Sequence, residues 1–474
     1  MRELLVRGGT LVDDQGERRA DVLVRGRDVV AVGTDLADVK SGTVVLDAGG
    51  CVVAPGLVDL HTHLREPGGE IAETIESGTR AAAAGGYTAV VAMPNTEPPL
   101  DHASVVRDVL ALGQFAMADV AVAAAITVGR RGETLVPMAE IAALGVHLFT
   151  DDGRGVQDAR LMRRALEYAS DLGVVLAQHC EDEALAAGGH MHEGAWSSRL
   201  GITGQPAVAE EAMIARDLAL VRETGSPMHF LHVSTAGSVE LIGRAKAAGL
   251  PVTAEVTPHH LVLTDGAVAT YDAAFKVNPP LRTAADVVAL RQGLVSGVID
   301  AVATDHAPHS AERKEEPFDL APFGMTGLET SLALLHTISL AAGAGSLAAG
   351  AGSLAGERGA GERGAGERGA GDARFGAWPG SSWTFADLFA VFSWRPARIA
   401  RLDRASGGRH GGPVAVGAPA NLVIFDPSEA WAVDPARMMS RSRNTPFAGM
   451  HLTGRVRHTL HEGEAVVIDQ QPQR

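Results

Sequence analysis

The sequence predicts an α/β protein: a (β/α)8 TIM barrel with a small β-sandwich domain formed from the N- and C-terminal segments. Three observations predict it. Eight short apolar runs in the middle of the chain alternate with helix-like segments, and continuous apolar strands alternating with helices make a parallel sheet covered on both faces. Val- and Leu-rich runs broken by Gly and Asp, the pattern of hairpins, occur at both ends of the chain. Several of the central runs end in His or Asp, and the rim at the C-terminal ends of the strands is where barrels of this kind carry their chemistry.

In chain order, "ELLVRGGTLV", "ADVLVRGRDVVAVG" and "GTVVLDA" supply short strands over residues 1–54, the first part of the β domain. The barrel is expected over 55–400. Its strands are Leu57–His63, Tyr87–Asn95, Val120–Thr127, Val146–Asp152, Val174–His179, Met228–His232, Pro251–Thr257 and Ile299–Asp305. Segments such as "DARLMRRALEYASDLG" and "AADVVALRQGLVSG" read as the intervening helices. Residues 343–376 differ. They are Gly- and Ala-rich with a tandem "AGERG" unit, which buries no apolar face, so a disordered solvated insertion without a catalytic role is expected. Residues 401–474 return to β patterns, "ANLVIFDP" and "HEGEAVVI", and complete the small domain.

Composition narrows the function classes. A length of 474 residues with 46% hydrophobic but only 4% aromatic residues means a core of many small aliphatic contacts. A formal net charge of −16 argues against generic binding to nucleic acid or anionic membranes, which need a basic face. Two cysteines, Cys51 and Cys180, make no disulfide framework and fit a reducing cytoplasm. The N-terminus lacks the apolar core of a signal peptide, and no run of 18 apolar residues suggests a membrane span.

In a strand, residues i and i+2 point the same way, so His61 and His63 project together from the end of the first strand. A lone histidine among the 18 present carries little weight. The argument rests on the other strand ends: Asp151 and Asp152 in "LFTDDG", His179 in "LAQHCED", His232 in "FLHVS" and Asp305 in "VATDHAPH". Apolar strands that end repeatedly in His or Asp would gather costly polar groups in one place unless something bound them. Four histidines and two carboxylates suit one or two divalent ions, zinc first among them. A carboxylate of the "TDDG" pair is the natural bridge. The remaining candidates have plainer readings. His259 and His260 are expected to be structural, His306 to face outward, and Cys180 to be packed rather than ligating.

The motifs "DLHTHLREPGGE", "AMPNTEPP", "FTDDGRGVQ", "AQHCED", "LHVSTAGSVE", "AEVTPHHL", "KVNPPLR", "ATDHAPH" and "PFGMTGLET" together resemble bacterial dihydroorotases of the two-zinc class, in the amidohydrolase superfamily. The likeness covers nearly the whole chain apart from the insertion. It implies the reversible, zinc-dependent interconversion of N-carbamoyl-aspartate and dihydroorotate in pyrimidine biosynthesis. By the same resemblance, His61 and His63 bind one zinc, His179 and His232 the other, and Asp152 bridges them, with Asp151 the less favoured alternative. A hydroxide held between the ions is the nucleophile of ring opening. Asp305 binds the first zinc and shuttles the proton. Substrate meets His63, Arg65, Asn95, Asn278 and His309, with the backbone near Phe323 and Gly324. A homodimer, a cytoplasmic location and an association with aspartate carbamoyltransferase are expected, and the stretch 309–327 is expected to close over substrate.

Two other readings compete. A hydantoin- or allantoin-type cyclic amidohydrolase needs no anchor for a ring carboxylate, and many such relatives bridge their metals with a carboxylated lysine on the fourth strand. This chain has no lysine between Lys40 and Lys246. A silent scaffold for aspartate carbamoyltransferase would be expected to have lost ligands, and here all six remain.

Overall fold

The computed structural model describes residues 3–36, 41–344, 378–379, 383–403 and 407–473. Apart from its first two residues, which end the helix Ser331–Ala344, the expected insertion at 343–376 lies outside the described residues.

Eight parallel strands form one sheet in chain order: β1 (Leu57–Thr62), β2 (Tyr87–Ala92), β3 (Asp119–Ala124), β4 (Leu148–Phe149), β5 (Val175–Gln178), β6 (Met228–Phe230), β7 (Val252–Val256) and β8 (Ala301–Val302). Each overlaps the run expected from the sequence. The ring closes between β8 and β1 by a parallel bridge, Thr62 to His306, with the His63 amide donating to the His306 carbonyl at 2.9 Å. A side chain reinforces the seam, because Asp59 on β1 accepts from the Thr304 amide at 2.8 Å.

Both faces of the sheet are buried. Inward residues such as Leu60, Val91, Ala123, Leu148, Ala177, Leu231 and Ala301 pack on one another inside the ring. Their strand neighbours, such as Val90, Val122, Phe149, Leu176, Phe230 and Val302, pack against the outer helices. The period-2 alternation thus sorts residues between two apolar environments rather than between core and water. Alanine is frequent inward because eight strands leave only a narrow interior.

The helices start and stop where local chemistry dictates. Asp158 accepts from the amides of Arg160 and Leu161 to begin Ala159–Leu172, and left-handed Gly173 ends it. Thr283 and Asp286 form a capping box for Ala284–Ser296, which ends at left-handed Gly297.

Two sheets make the small domain. One has four strands in the order Asp28–Gly33, Asp21–Arg25, Glu3–Arg7, Val44–Asp47. The other has seven: Gln471–Pro472, Glu464–Ile468, His451–His461, Leu422–Ala432, Val52–Pro55, Thr10–Asp13 and Gly16–Arg19. The two ends of the chain share a core, in which Leu4, Val6, Leu11 and Val53 meet Leu422, Ile424 and Leu460. The seven-stranded sheet hands the chain to the barrel within one residue, from Pro55 to Leu57.

Candidate metal and active site

The strands stop early at the rim. β4 and β8 span two residues each, and His63, Asp152, His179, His232 and Asp305 lie just beyond their strands. Arg65 (φ 62°), His232 (φ 30°) and Asp305 (φ 45°) occupy the left-handed region. Non-glycine residues there are uncommon and cluster at functional sites. These bends turn side chains from successive strands toward the barrel axis.

The result is two buried groups of three ligand-type side chains among the described residues: His61, His63 and Asp152; and Asp152, His179 and His232. In each group one donor atom per residue lies within 4.8 Å of the others, and Asp152 belongs to both. Asp152 Oδ1 is 3.3 Å from His61 Nε2, 3.5 Å from His232 Nε2 and 3.7 Å from His179 Nδ1, while its Oδ2 is 3.5 Å from His63 Nε2. Asp305 Oδ1 approaches His63 Nε2 at 3.0 Å and His61 Nε2 at 3.5 Å.

The hydrogen bonds around the imidazoles show which nitrogens face the centre. His61 Nδ1 lies 2.9 Å from the Glu255 carboxylate, so that nitrogen carries a proton and donates it. His63 Nδ1 likewise donates to Asn95 Oδ1 at 2.8 Å. In the neutral rings both Nε2 lone pairs then point at the carboxylates of Asp152 and Asp305. Lone pairs facing carboxylates repel unless a cation sits among them. The buried atoms His61 Nε2 and Asp152 Oδ1 have no hydrogen-bond partner, although buried polar atoms are normally satisfied; in the second group His232 Nε2 and His179 Nδ1 lie 2.9 Å apart beside Asp152. The donor set therefore fits divalent cations bound by nitrogen and oxygen. Burial disfavours ionised Asp152, but positive charge at His61 and hydrogen bonds from His179, His232 and His61 outweigh it and hold the carboxyl well below its ordinary range; the carboxylate therefore needs positive charge beside it, from protonated rings or from a cation that replaces their protons.

Asp151 does something else. Its carboxylate accepts from the amides of Ile126 (2.8 Å) and Thr127 (3.0 Å) and from the Thr127 hydroxyl, tying the end of β4 to the end of β3.

Beside the two candidate groups is a cavity of about 190 Å³ lined by His63, Arg65, Asn95, Asn278, Asp305, His309, Phe323 and Gly324, among others. Arg65 is half-buried, and the desolvation lowers its pKa to about 10, so it stays charged at neutral pH. It donates to the Pro308 carbonyl at 3.2 Å. His309 Nε2 lies 2.7 Å from the Phe323 carbonyl, so this nitrogen is the donor, and Arg65 Nη2, 3.3 Å away, is a neighbour rather than a donor to it. Burial and the adjacent Arg65 push His309 down to about 2, so it is neutral. Asn278 Nδ2 is engaged by Glu181 Oε2 at 2.7 Å, while its Oδ1 is buried without a partner. Gly324 has φ 130°, and a Cβ there would meet Ala307 Cβ at 2.6 Å, so only glycine brings this backbone so close to the rim.

Other residues differ from expectation or were missed. His306 is buried, not outward-facing: its Nε2 meets Glu73 at 3.2 Å and its Nδ1 accepts from the Gly327 amide. Strand alternation does not reach it, because the chain has already turned at Asp305. His260 is held by Thr257 Oγ1 (2.6 Å) and the Pro279 carbonyl (3.1 Å), and Cys180 is buried. Glu255, inside β7, bridges His61 Nδ1 and His229 Nε2 at 2.9 and 3.0 Å. A charged residue within the apolar run "PVTAEVT" was the available signal. Asn444 gave none: its side chain receives the His309 amide at 3.1 Å and donates to the carbonyls of Ala307 and Gly324.

Comparison with known proteins agrees with this geometry. A family model described as Dihydro-orotase-like matches residues 50–238. The chain is 45% identical to the dihydroorotase of Pelotomaculum thermopropionicum over 98% of this chain and 99% of that one. It is 46% identical to the dihydroorotase of Streptomyces coelicolor over 99% of each chain. Among solved structures, the L-hydantoinase (dihydropyrimidinase) of Arthrobacter aurescens superposes with a TM-score of 0.81 at 25% identity, covering 100% of this chain and 98% of that one. The dihydropyrimidinase of Brevibacillus agri gives 0.77 at 23%, covering 99% and 96%, and bears on the fold alone. With its barrel, its shared-aspartate centre and its full-length relatives, the chain belongs to the dihydroorotase family.

Proposed function

We propose that this chain is a dihydroorotase, interconverting N-carbamoyl-L-aspartate and dihydroorotate in pyrimidine biosynthesis. The observation that carries the reading is the pair of ligand groups sharing Asp152 beside the cavity that Arg65 enters. His61, His63, Asp152 and Asp305 would hold one ion, and Asp152, His179 and His232 the second, with zinc the ion the donor set favours. Two such ions, when bound, supply Lewis acidity at the scissile carbonyl and lower the pKa of a coordinated water toward about 7.

The chain's own residues do the rest. Arg65 presents a planar fork to the substrate carboxylate, a geometry suited to bidentate, charge-assisted hydrogen bonds. Asn95, Asn278 and His309, with the Phe323–Gly324 backbone, orient the ring. Asp305 takes the proton from the attacking water during ring opening and delivers it to the departing ring nitrogen; in closure the steps reverse. A homodimer in the cytoplasm, with aspartate carbamoyltransferase as a partner, belongs to the same proposal. Light scattering tests the dimer and co-elution tests the partner.

The deciding experiment is ring opening of dihydroorotate by purified protein with and without added zinc, beside Asp305→Asn and with a hydantoin as control substrate. Zinc-dependent turnover of dihydroorotate, lost in the variant, is expected. Folded, metal-loaded protein that leaves dihydroorotate intact refutes the reading, and turnover of the hydantoin instead reassigns the substrate.

A further inference from the structure

Lysine is scarce in this chain. Of 41 lysines and arginines only Lys40, Lys246, Lys276 and Lys314 are lysines. Two of the four converge on one segment at the rim. The Lys276 side chain is buried, and its ammonium donates to the carbonyls of Phe318 (2.6 Å), Asp319 (3.1 Å) and Ala321 (2.7 Å). An ammonium has three protons, and all three are used on the backbone of one loop. The same nitrogen sits 4.6 Å from the centre of the Phe323 ring, a favourable cation–π placement. Lys314 Nζ donates to the Pro322 carbonyl at 2.9 Å and reaches the Lys276 carbonyl at 3.5 Å. That carbonyl also accepts from the Gly324 amide at 2.9 Å.

A buried cation held by carbonyls alone is costly unless it orders something. What it orders here is the backbone that lines the cavity. Lys276 stands two residues before Asn278, and the carbonyls it gathers lead directly into Phe323 and Gly324. One side chain therefore ties the segment after β7 to the segment after β8. Lysine suits the task because three carbonyls converge on a point charge; the flat guanidinium of arginine would not fit that geometry.

We propose that Lys276, assisted by Lys314, is a positioning residue that fixes the Phe318–Gly324 backbone against the cavity and so sets substrate affinity. The inference rests on the proposed dihydroorotase activity for its kinetic effect, though not for its structural one.

The test uses full-length Lys276→Met and Lys314→Met beside the unaltered protein. KM for dihydroorotate should rise on the order of tenfold in Lys276→Met, and less in Lys314→Met, with kcat nearly retained, because binding rather than chemistry is loosened. Bound metal per chain should not change. A glutamate-specific protease, for which Glu312 and Glu315 offer sites, should cut the loop faster in both variants without ligand. Unchanged KM and unchanged cleavage overturn the inference, as does a fall in kcat and metal content with KM constant, which would make Lys276 a general stability residue. If the unaltered protein shows no turnover, the dihydroorotase reading fails, and the cleavage comparison still decides whether the lysines hold the loop.

Discussion

At the scale of single residues, the side chains that gather at the rim are legible in the sequence and their supports are not. His61, His63, Asp152, His179, His232 and Asp305 each close an apolar run, so a polar group stands out where a strand should stop. Glu255 lies inside its strand, and its reason for being there is a neighbour two strands round the ring but distant in sequence. Its carboxylate receives the His61 Nδ1 proton and is held in turn by His229, whose Nδ1 meets Thr253 Oγ1 at 2.8 Å. The pairing leaves His61 Nε2 free to face the centre. Such partners orient a ligand and raise its basicity, and losing one typically costs about 10–100-fold in metal affinity. Glu255→Gln is therefore expected to weaken binding at the site of His61 and His63 by about that factor, while the site of His179 and His232 keeps its ion. Competition with a chromophoric chelator would resolve the two sites, and equal affinity for both ions in the variant and the parent would rule the role out.

Elements were legible wherever hydrophobic period and end signals agreed. The helix Ala159–Leu172 has Asp before it and Gly after it, and the structure begins and ends it there. The strand His451–His461 is hidden in the sequence: its buried positions alternate from Leu452 to His458, but Gly454 and His458 occupy two of them and leave the apolar residues Leu452, Val456 and Leu460 four apart. That strand carries one end of a tie between the two domains. Asp119, the first residue of β3, accepts from His410 Nε2 at 2.8 Å and from His461 Nε2 at 2.9 Å, and His410 Nδ1 contacts Thr88 Oγ1. Partial burial raises the pKa of Asp119, whose side chain is 40% exposed, but the two histidines outweigh it and hold the carboxyl below its ordinary range. The folded state consequently binds fewer protons at this site than the unfolded chain near pH 4. The stabilisation is present in full above the unfolded value of about 3.9 and is lost as pH falls through the folded one. Asp119→Asn should lower the melting temperature at pH 6, and the gap to the parent should narrow as pH drops below about 4. A gap that stays constant down to pH 3 would show that the carboxylate charge contributes nothing.

On the scale of the whole molecule, the architecture was visible because a closed parallel barrel needs eight buried strands, and eight apolar runs are present. The closing contacts were hidden, since they join residues far apart in sequence, as Asn444 does with His309 and Gly324. The centre is also a global feature. His61 and His63 follow from β1, His179 and His232 from β5 and β6, and Asp152 from β4, so ions shared through Asp152 would link separate arcs of the ring. A ligand that binds only the folded chain stabilises it in proportion to the logarithm of its concentration over its dissociation constant. Exhaustive chelation is accordingly expected to lower the melting temperature, and zinc to restore it. Asp152→Asn, which removes the residue common to both groups, should abolish most of that response, whereas Asp305→Asn should keep the part due to His179 and His232. The comparison separates metal binding from catalysis, since both variants are expected to be inactive and only one to remain responsive to zinc. Calorimetry on the three proteins, with bound metal measured in parallel, decides the matter: a melting temperature indifferent to complete metal removal would mean that the cluster is held by its own hydrogen bonds and ion pairs, and that the shared aspartate is not a bridge.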